Sequence, residues 1–398
     1  MPTIVRVYSG HCKLRFDLGA ELETDFKLQL RSDGGIDASV TLPETPDILK
    51  IARKSDSKEL LHCSLAGTVT EPEGRISIPG LLLDVNTPRL ISLESTVEME
   101  YAKVSSQQMV EVHYGFTNFD FWGCEYTRVR NEVAPDKFSA CLPGVEIAFK
   151  QVKDYRNIIS ELETTRDVKV TAEAIATAAF SGLEELEQLV GDVATLLSYA
   201  TGTYISWVYQ DVYDNGQLVR SLLYPHNWGP FVHRDWVIDA RNLGACYLRI
   251  FLETTYPAFS RLKADLGLDV LLEFLVVAKQ GRYPEVIFLL NSVAAECLTS
   301  YLASYFTRIR KSREMRSFRS KMKELLSHFK VVYDESELDF IGTRDKIVHT
   351  GRFPTGVVPW PATMSLQNLM DRTVLTILGY RGKAYLNCAK RYEKEILR

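Results

Sequence analysis

Three residues near the end of the chain have the side-chain types and the spacing of a proton-transfer and anion-binding site. Arg344 and His349 are five positions apart, and Asp345 directly follows the arginine. Histidine exchanges protons close to neutral pH, since its ordinary pKa is about 6.5. Arginine stays protonated, and its planar fork binds two oxygens of a phosphate or a carboxylate. The group is therefore a candidate for acid–base chemistry on a charged substrate.

The local pattern places this group near the end of a helix. The apolar residues around it fall on two neighbouring helical faces, one with Leu338, Ile341 and Val348 and the other with Phe340 and Ile347. Gly351 stands where a left-handed C-terminal cap is expected. On an ideal helix a separation of five residues turns Arg344 and His349 about 140° apart. A site that uses both residues thus needs a distorted helix or a second subunit.

Other motifs for chemistry are missing or badly placed. The sequence has no P-loop, no dinucleotide-binding glycine motif, no HExxH or GxSxG motif, and no histidine and cysteine pairs at zinc spacing. A second arginine and histidine pair, Arg220 and His226, lies in a predicted hairpin and the loop after it. Because Pro225 directly precedes that histidine, no helix holds the pair. Arg344 and His349 remain the better candidate.

A strongly basic segment, residues 301–330, precedes the motif. It contains nine basic and two acidic residues, a net charge of +7 in a chain whose total is −4, so the rest carries −11. We predict one basic helix from Lys311 to Lys330. A local positive charge of this size indicates a surface that binds phosphates. The residues predicted to bind these phosphates are Arg308, Arg310, Lys311, Arg313, Arg316, Arg319, Lys321 and Lys323. A solvated helix face is the alternative interpretation.

The composition and the hydrophobic pattern predict an α+β protein with several domains. Of the 398 residues, 46% are hydrophobic and 25% are charged, as in globular proteins. Residues 1–160 contain short alternating runs such as 26–30 and predict a largely antiparallel β-domain. Residues 161–236 are predicted to be mixed α+β, either as a separate segment or as part of that domain, with a hairpin turn at Asn215–Gly216. Residues 237–398 predict a helical bundle whose last helix runs from about Ser365 to the C-terminus.

The sequence also predicts a cytosolic location. The seven cysteines are scattered singly, which is typical of reduced intracellular thiols, and the N-terminus has no secretory leader pattern. The longest apolar run, 271–278, is far shorter than a membrane span.

At residues 265–398 the chain resembles the HEPN domain (higher eukaryotes and prokaryotes nucleotide-binding). The resemblance rests on LDFIGTRDKIVHTG, which follows a long helix carrying AAECL, and on the HEPN signature of arginine, a polar residue and histidine. These positions are Arg344, Asp345 and His349. The order of a β-rich N-terminal part and a C-terminal HEPN domain is also similar to that of ApeA-type proteins of bacterial anti-phage defence.

The resemblance implies a metal-independent endoribonuclease that needs no cofactor and acts on RNA. His349 would transfer protons, Arg344 would stabilise the charge on the phosphorane, and Asp345 would orient either partner. Two subunits of the family face their motifs across a dimer interface, so a homodimer through residues 265–398 is expected. The protein would be a toxin or a defence effector regulated by its N-terminal domain. The alternative is an inactive HEPN scaffold that dimerises and binds RNA or protein, with a structural arginine and a capping histidine.

Overall fold

The computed structural model describes residues 4–16, 21–31, 35–41, 60–70, 73–84, 89–92, 96–129, 132–224, 236–239, 244–310, 317–386 and 393–396. The chain forms two compact units, neither of them continuous in sequence. The first, here the sheet unit, comprises Met1–Phe119, Ile147–Glu187 and Ser206–Phe231, and the second, here the helical unit, comprises Asp120–Glu146, Gln188–Ile205 and Val232–Arg398. The fold is of the α+β class with a β-rich N-terminal part, as predicted.

The strands of the described residues pair antiparallel throughout. They are β1 (Ile4–Phe16), β2 (Glu21–Arg31), β3 (Ile36–Val40), β4 (Leu60–Val69), β5 (Gly74–Asp84), β6 (Arg89–Ser92), β7 (Val97–Glu100), β8 (Met109–Thr117), β9 (Glu125–Val129), β10 (Glu132–Leu142), β11 (Val145–Gln151), β12 (Val170–Ala179), β13 (Trp207–Asp214), β14 (Gln217–Leu223), β15 (Lys383–Leu386) and β16 (Glu393–Ile396). Strands β9 and β10 form a hairpin within the helical unit.

The sheet unit has a closed part and an open part. Strands β1 to β6 close into a ring, because β4 pairs with both β1 and β5 and the others connect in the order β1, β2, β3, β6, β5. The sheet continues from β5 through β7, β14, β13, β8, β12 and β11. In β2 the predicted alternation is confirmed, since Phe26, Leu28 and Leu30 are buried and the residues between them are not. This alternation packs one face of the strand into the core.

The predicted hairpin turn at Asn215–Gly216 is confirmed. Asp214 pairs with Gln217 across the end of β13 and β14. Asn215 and Gly216 both have positive φ angles, 49° and 79°. A two-residue turn of this kind matches the right-handed twist of the strands, and asparagine and glycine adopt it at low cost.

The helical unit is built around one long central helix. The helices of the described chain are α1 (Tyr155–Thr165), α2 (Leu183–Thr201), α3 (Ala245–Leu266), α4 (Leu268–Lys279), α5 (Pro284–Arg310), α6 (Phe318–His328), α7 (Phe340–Thr350) and α8 (Pro359–Ile377). Helix α5 packs against α3, α4, α6, α7 and α8. Its core residues include Phe288, Ala295 and Leu298, each at most 1% exposed.

Two helix predictions differ from the structure. The last helix begins at Pro359 and ends at Ile377, and strands β15 and β16 follow it, so the prediction of a helix to the C-terminus is wrong. Gly379 ends it with a φ of 72°, a left-handed conformation that stops a helix. The predicted basic helix from Lys311 to Lys330 is shorter, because α6 begins at Phe318 after a Ser317–Ser320 capping box. Residues 311–316 lie outside the described residues.

One helix in the described part of the chain passes a composition test for a membrane span. It is the stretch Pro284–Leu302 of α5, which the sequence prediction based on residues 271–278 missed. Half of this stretch is buried inside the fold, and the core helix of a water-soluble protein meets the same test. The stretch alone is therefore weak evidence for a membrane, and the cytosolic location stays a prediction.

Candidate active site

Helix α7 carries the motif and is fixed at both ends by local interactions. A turn of 3-10 helix, Glu335–Asp339, leads into it, started by a capping box of Asp334 and Glu337. Phe340 and Ile347 are buried and hold one face of α7 in the core. At the other end Gly351 has a φ of 70°, and its N–H donates to the Ile347 carbonyl at 2.7 Å. The predicted glycine cap is confirmed.

Arg344 is held by two carboxylates within its own chain. Its guanidinium donates to Oδ1 of Asp345 at 3.1 Å and to Oε2 of Glu296 on α5. The side chain of Arg344 is 26% exposed, so part of the guanidinium faces solvent. A guanidinium has five N–H donors, and these two bonds leave others for an oxyanion. Arg344 is therefore oriented from both sides and still accessible.

Sequence reasoning missed Glu296 as a site residue. It lies in the AAECL segment, where a charged residue interrupts an apolar run between Ala295 and Leu298. Its carboxylate is 44% exposed and contacts Arg344 across 48 positions of sequence. The signal available in the sequence was this single charge in a core helix. Nothing local in the sequence identifies Arg344 as its partner.

His349 lies on the same helix but faces solvent. Its side chain is exposed, and within the described part of the chain it makes no hydrogen bond or ion pair. Helix α7 runs unbroken from Phe340 to Thr350. An unbroken helix keeps Arg344 and His349 about 140° apart around the axis and about 7.5 Å apart along it. One chain has no distortion here that would bring the two side chains to a common point.

The nearest thiol does not offer a nucleophile. Cys297 follows Glu296 on α5, and burial followed by the charge of Glu296 raises the pKa of its thiol. A thiol with a raised pKa carries little thiolate at neutral pH, and the thiolate is the nucleophile. Cys297 is therefore not a candidate nucleophile.

The predicted RNA-binding residues fall into three groups. Arg319 and Lys323 lie on one face of α6 and form ion pairs with Glu335 and Asp339, at distances between 2.8 and 3.7 Å. Lys321 lies on another face and has no ion pair among the residues that the structure describes. Arg308 and Arg310 belong to the last turn of α5, and Lys311, Arg313 and Arg316 lie outside the described residues.

The acidic partners of α6 directly precede the motif helix. Asp339 is the residue before α7, and its carboxylate accepts from Arg319 at 3.3 Å instead of capping the helix. Arg319 also donates to the carbonyl oxygen of Glu335 at 3.3 Å. Arg319 therefore ties α6 to the turn that starts α7, a structural role that the sequence did not predict.

In the described part of the chain, no group of three or more histidine, cysteine, aspartate or glutamate side chains is placed to hold a metal ion.

Comparison with known proteins gives no relative: no family model matches the chain, no curated protein is significantly similar to it, and no solved structure matches its fold.

Proposed function

We propose that the protein is a metal-independent endoribonuclease that uses Arg344 and His349. The observation that carries the proposal is an arginine held in place by two carboxylates on the same helix as an exposed histidine. Arg344 is oriented by Glu296 and Asp345, and His349 faces solvent five positions later. The basic segment directly before this helix supplies cations for the RNA backbone. Residues 265–398 also resemble the HEPN domain, whose signature of arginine, a polar residue and histidine corresponds to Arg344, Asp345 and His349.

The residues suit RNA cleavage by the substrate's own 2′-hydroxyl. A base removes the proton from the 2′-oxygen, which attacks the adjacent phosphorus atom. The bond to the 5′-oxygen breaks, and that oxygen takes up a proton as it leaves. His349 carries the proton, and Arg344 binds the oxygens that gain negative charge. The products are a 2′,3′-cyclic phosphate and a free 5′-hydroxyl.

The active unit in this proposal is a homodimer of the helical unit. Because α7 is unbroken, Arg344 and His349 of one chain point to different sides of it. A second copy related by a twofold axis places its own His349 near the Arg344 of the first, and the reverse holds by symmetry. We further propose a cytoplasmic toxin or anti-phage effector, with the β-rich N-terminal part sensing a trigger or restraining the nuclease.

One observation favours a second candidate, an inactive scaffold that dimerises and binds RNA or protein. The two carboxylates on Arg344 offset its positive charge and reduce its attraction for a phosphate. Under this alternative the Arg344–Glu296 ion pair only joins α7 to α5.

Cleavage of a labelled, structured RNA in the presence of EDTA separates the two candidates. The wild-type protein is expected to cut and to leave cyclic phosphate ends, whereas a scaffold leaves the RNA intact. Replacing Arg344 or His349 with alanine is expected to lower the rate at least about 100-fold, the range typical of a positioned proton carrier. Glu296→Gln removes one charged hydrogen bond to Arg344 and is expected to lower it about tenfold or more.

The matched control is His328→Ala, which removes another exposed histidine of the helical unit, at the end of α6. This variant is expected to keep the wild-type rate. Full activity of a folded His349→Ala variant, with its helix content confirmed by circular dichroism, would contradict the assignment. Strict dependence on added Mg²⁺ would point to a different mechanism.

A further inference from the structure

One end of the helical unit exposes four large apolar side chains. Tyr283 directly precedes α5 and Val286 lies in its first turn, with exposures of 68% and 47%. Val358 directly precedes α8 and Trp360 lies in its first turn, with exposures of 65% and 50%. The two helix ends are in contact, since the Thr363 hydroxyl donates to the Pro284 carbonyl at 3.3 Å. We call these four residues the aromatic platform. An exposed apolar patch of this kind typically marks a binding surface.

Cations flank the aromatic platform in sequence. Arg282 directly precedes Tyr283, and Arg352 lies in the short connection between α7 and α8. Both side chains are exposed, and neither has an ion pair among the described residues. The first turn of α5 contributes one carboxylate, Glu285. The platform thus combines stacking surfaces with cations that are free to bind phosphate.

The connection after α7 leads from the candidate active site to the aromatic platform. Arg344 contacts Glu296 in the middle of α5. Phe353 packs its ring against Phe288, about two turns nearer the start of that helix, with the ring centres 5.2 Å apart. The chain therefore runs back along α5 towards Pro284. At 1.5 Å per residue, Pro284 lies about 18 Å from Glu296 along the helix.

The basic end of α5 lies at a similar distance on the other side of the candidate site. Arg308 is twelve residues beyond Glu296 in the same helix, about 18 Å further along it. The candidate site thus lies midway between cations at one end of α5 and exposed aromatic rings at the other.

We propose that the aromatic platform binds unpaired bases of the RNA substrate, with Tyr283 and Trp360 as the stacking residues. Proteins that hold single-stranded nucleic acid combine exposed aromatic rings with cations along the backbone, and the platform has both. A base pair in a duplex keeps its faces stacked on its neighbours and offers none to a side chain. The inference rests on the proposed function and narrows its substrate class to RNA with a single-stranded segment next to the cut.

The test measures binding separately from cleavage, in the full-length chain with His349→Ala so that the RNA stays intact. Fluorescence anisotropy gives the affinity for a labelled unpaired RNA and for a duplex of the same length. Trp360→Ala and Tyr283→Ala are each expected to weaken binding of the unpaired RNA about tenfold. Trp360→Phe retains a ring and is expected to keep most of the affinity. Duplex binding is expected to change little in all three variants.

The matched control is Trp122→Ala, because Trp122 belongs to the same unit and is also 50% exposed. It is expected to bind as the parent protein does. Unchanged affinity of Trp360→Ala and Tyr283→Ala for unpaired RNA would overturn the inference, as would equal losses on the duplex. A change of sedimentation coefficient without a change in RNA affinity would make the platform a contact between two copies, which also overturns it.

The two proposals fail in different ways. If the chain with an intact His349 cleaves RNA and loses that activity in His349→Ala, while the platform variants bind normally, the proposed function stands and the inference falls. If the chain with His349 does not cleave, the proposed function falls, and the binding comparison still decides the platform. Absence of RNA binding by every variant would reject both.

Discussion

Two of the predicted RNA-binding cations are already neutralised by carboxylates, so removing one carboxylate is expected to strengthen RNA binding. The Nζ atom of Lys323 lies 2.8 Å from Glu335, and no other ion pair of Lys323 is found in the described part of the chain. Arg319 lies 3.7 Å from the Glu335 carboxylate and 3.3 Å from that of Asp339. Glu335→Gln removes the charge and keeps the shape. It releases Lys323 completely and leaves Arg319 with Asp339.

The expected size follows from counterion release. Each phosphate contact to a single strand contributes about −0.7 to the slope of log K against log salt. Releasing Lys323 adds one contact, so the slope of Glu335→Gln is expected to be steeper by about 0.7. Adding Asp339→Asn releases Arg319 as well, and the slope is expected to steepen by about 1.4 in total. The measurement is anisotropy of a labelled single-stranded RNA from about 50 to about 200 mM salt, in the His349→Ala background.

The control is Glu324→Gln, the same change of charge on an exposed residue of α6. Glu324 has no ion pair among the described residues, so the substitution releases no cation. Its slope is expected to match that of the parent. An unchanged slope in Glu335→Gln, or an equal change in both variants, would mean that this face of α6 is solvated surface and that RNA binds elsewhere.

The effect of pH on the ion pairs of Glu335 is confined to acidic pH. The hydrogen bond from Lys323 lowers the pKa of Glu335 below its ordinary value, with further lowering from Arg319. A group with a lowered pKa stays charged above its ordinary pKa, and its pairs are lost only as the pH falls through the lowered value. The competition between Glu335 and the RNA phosphates for Lys323 and Arg319 is therefore constant across neutral pH. The difference in slope between parent and Glu335→Gln is expected to be the same at pH 6 and pH 8.

Two other predictions concern the helical unit. Lys279 lies 2.7 Å from Asp371, their side chains are 1% and 3% exposed, and the Tyr199 hydroxyl also bonds Asp371. Lys279→Met leaves the charge of Asp371 buried without its partner and is expected to lower the free energy of unfolding by about 3–5 kcal/mol. Adding Asp371→Asn removes that charge, and the double variant is expected to regain most of the lost stability. Urea denaturation followed by circular dichroism measures both, and a loss below about 1 kcal/mol would contradict the buried pair. Mixing Arg344→Ala with His349→Ala chains is expected to restore part of the cleavage activity in EDTA, and full activity of a strictly monomeric protein would refute the shared site.

The features that the sequence predicted correctly are those set by a few adjacent residues. The Asn215–Gly216 turn and the Gly351 cap need a positive φ, which glycine and asparagine adopt at low cost, so residue type alone points to them. The alternation of β2 likewise follows from the two faces of a single strand. Each of these predictions needs no knowledge of the rest of the chain.

The features that the sequence did not predict depend on distant partners. The sequence marks two neighbouring apolar faces on α7, one with Val348 and one with Phe340 and Ile347. Val348 is 57% exposed because α7 buries the face with Phe340 and Ile347. The sequence alone does not decide which of two helical faces with similar apolar content is buried, because that depends on the element against which the helix packs. Glu296 similarly becomes a site residue only because α7 packs on α5.

The same packing keeps the side chains of Arg344 and His349 apart within one chain. Arg344 is fixed from within the chain by Glu296, and α7 is anchored by Ile347 and ended by Gly351, so the arginine cannot rotate towards His349 without breaking these contacts. His349 is left on the solvent side next to the exposed Val348. In the homodimer proposed above, a twofold axis next to α7 would bring each His349 towards the fixed arginine of its partner, and the mixing of Arg344→Ala with His349→Ala chains tests this arrangement.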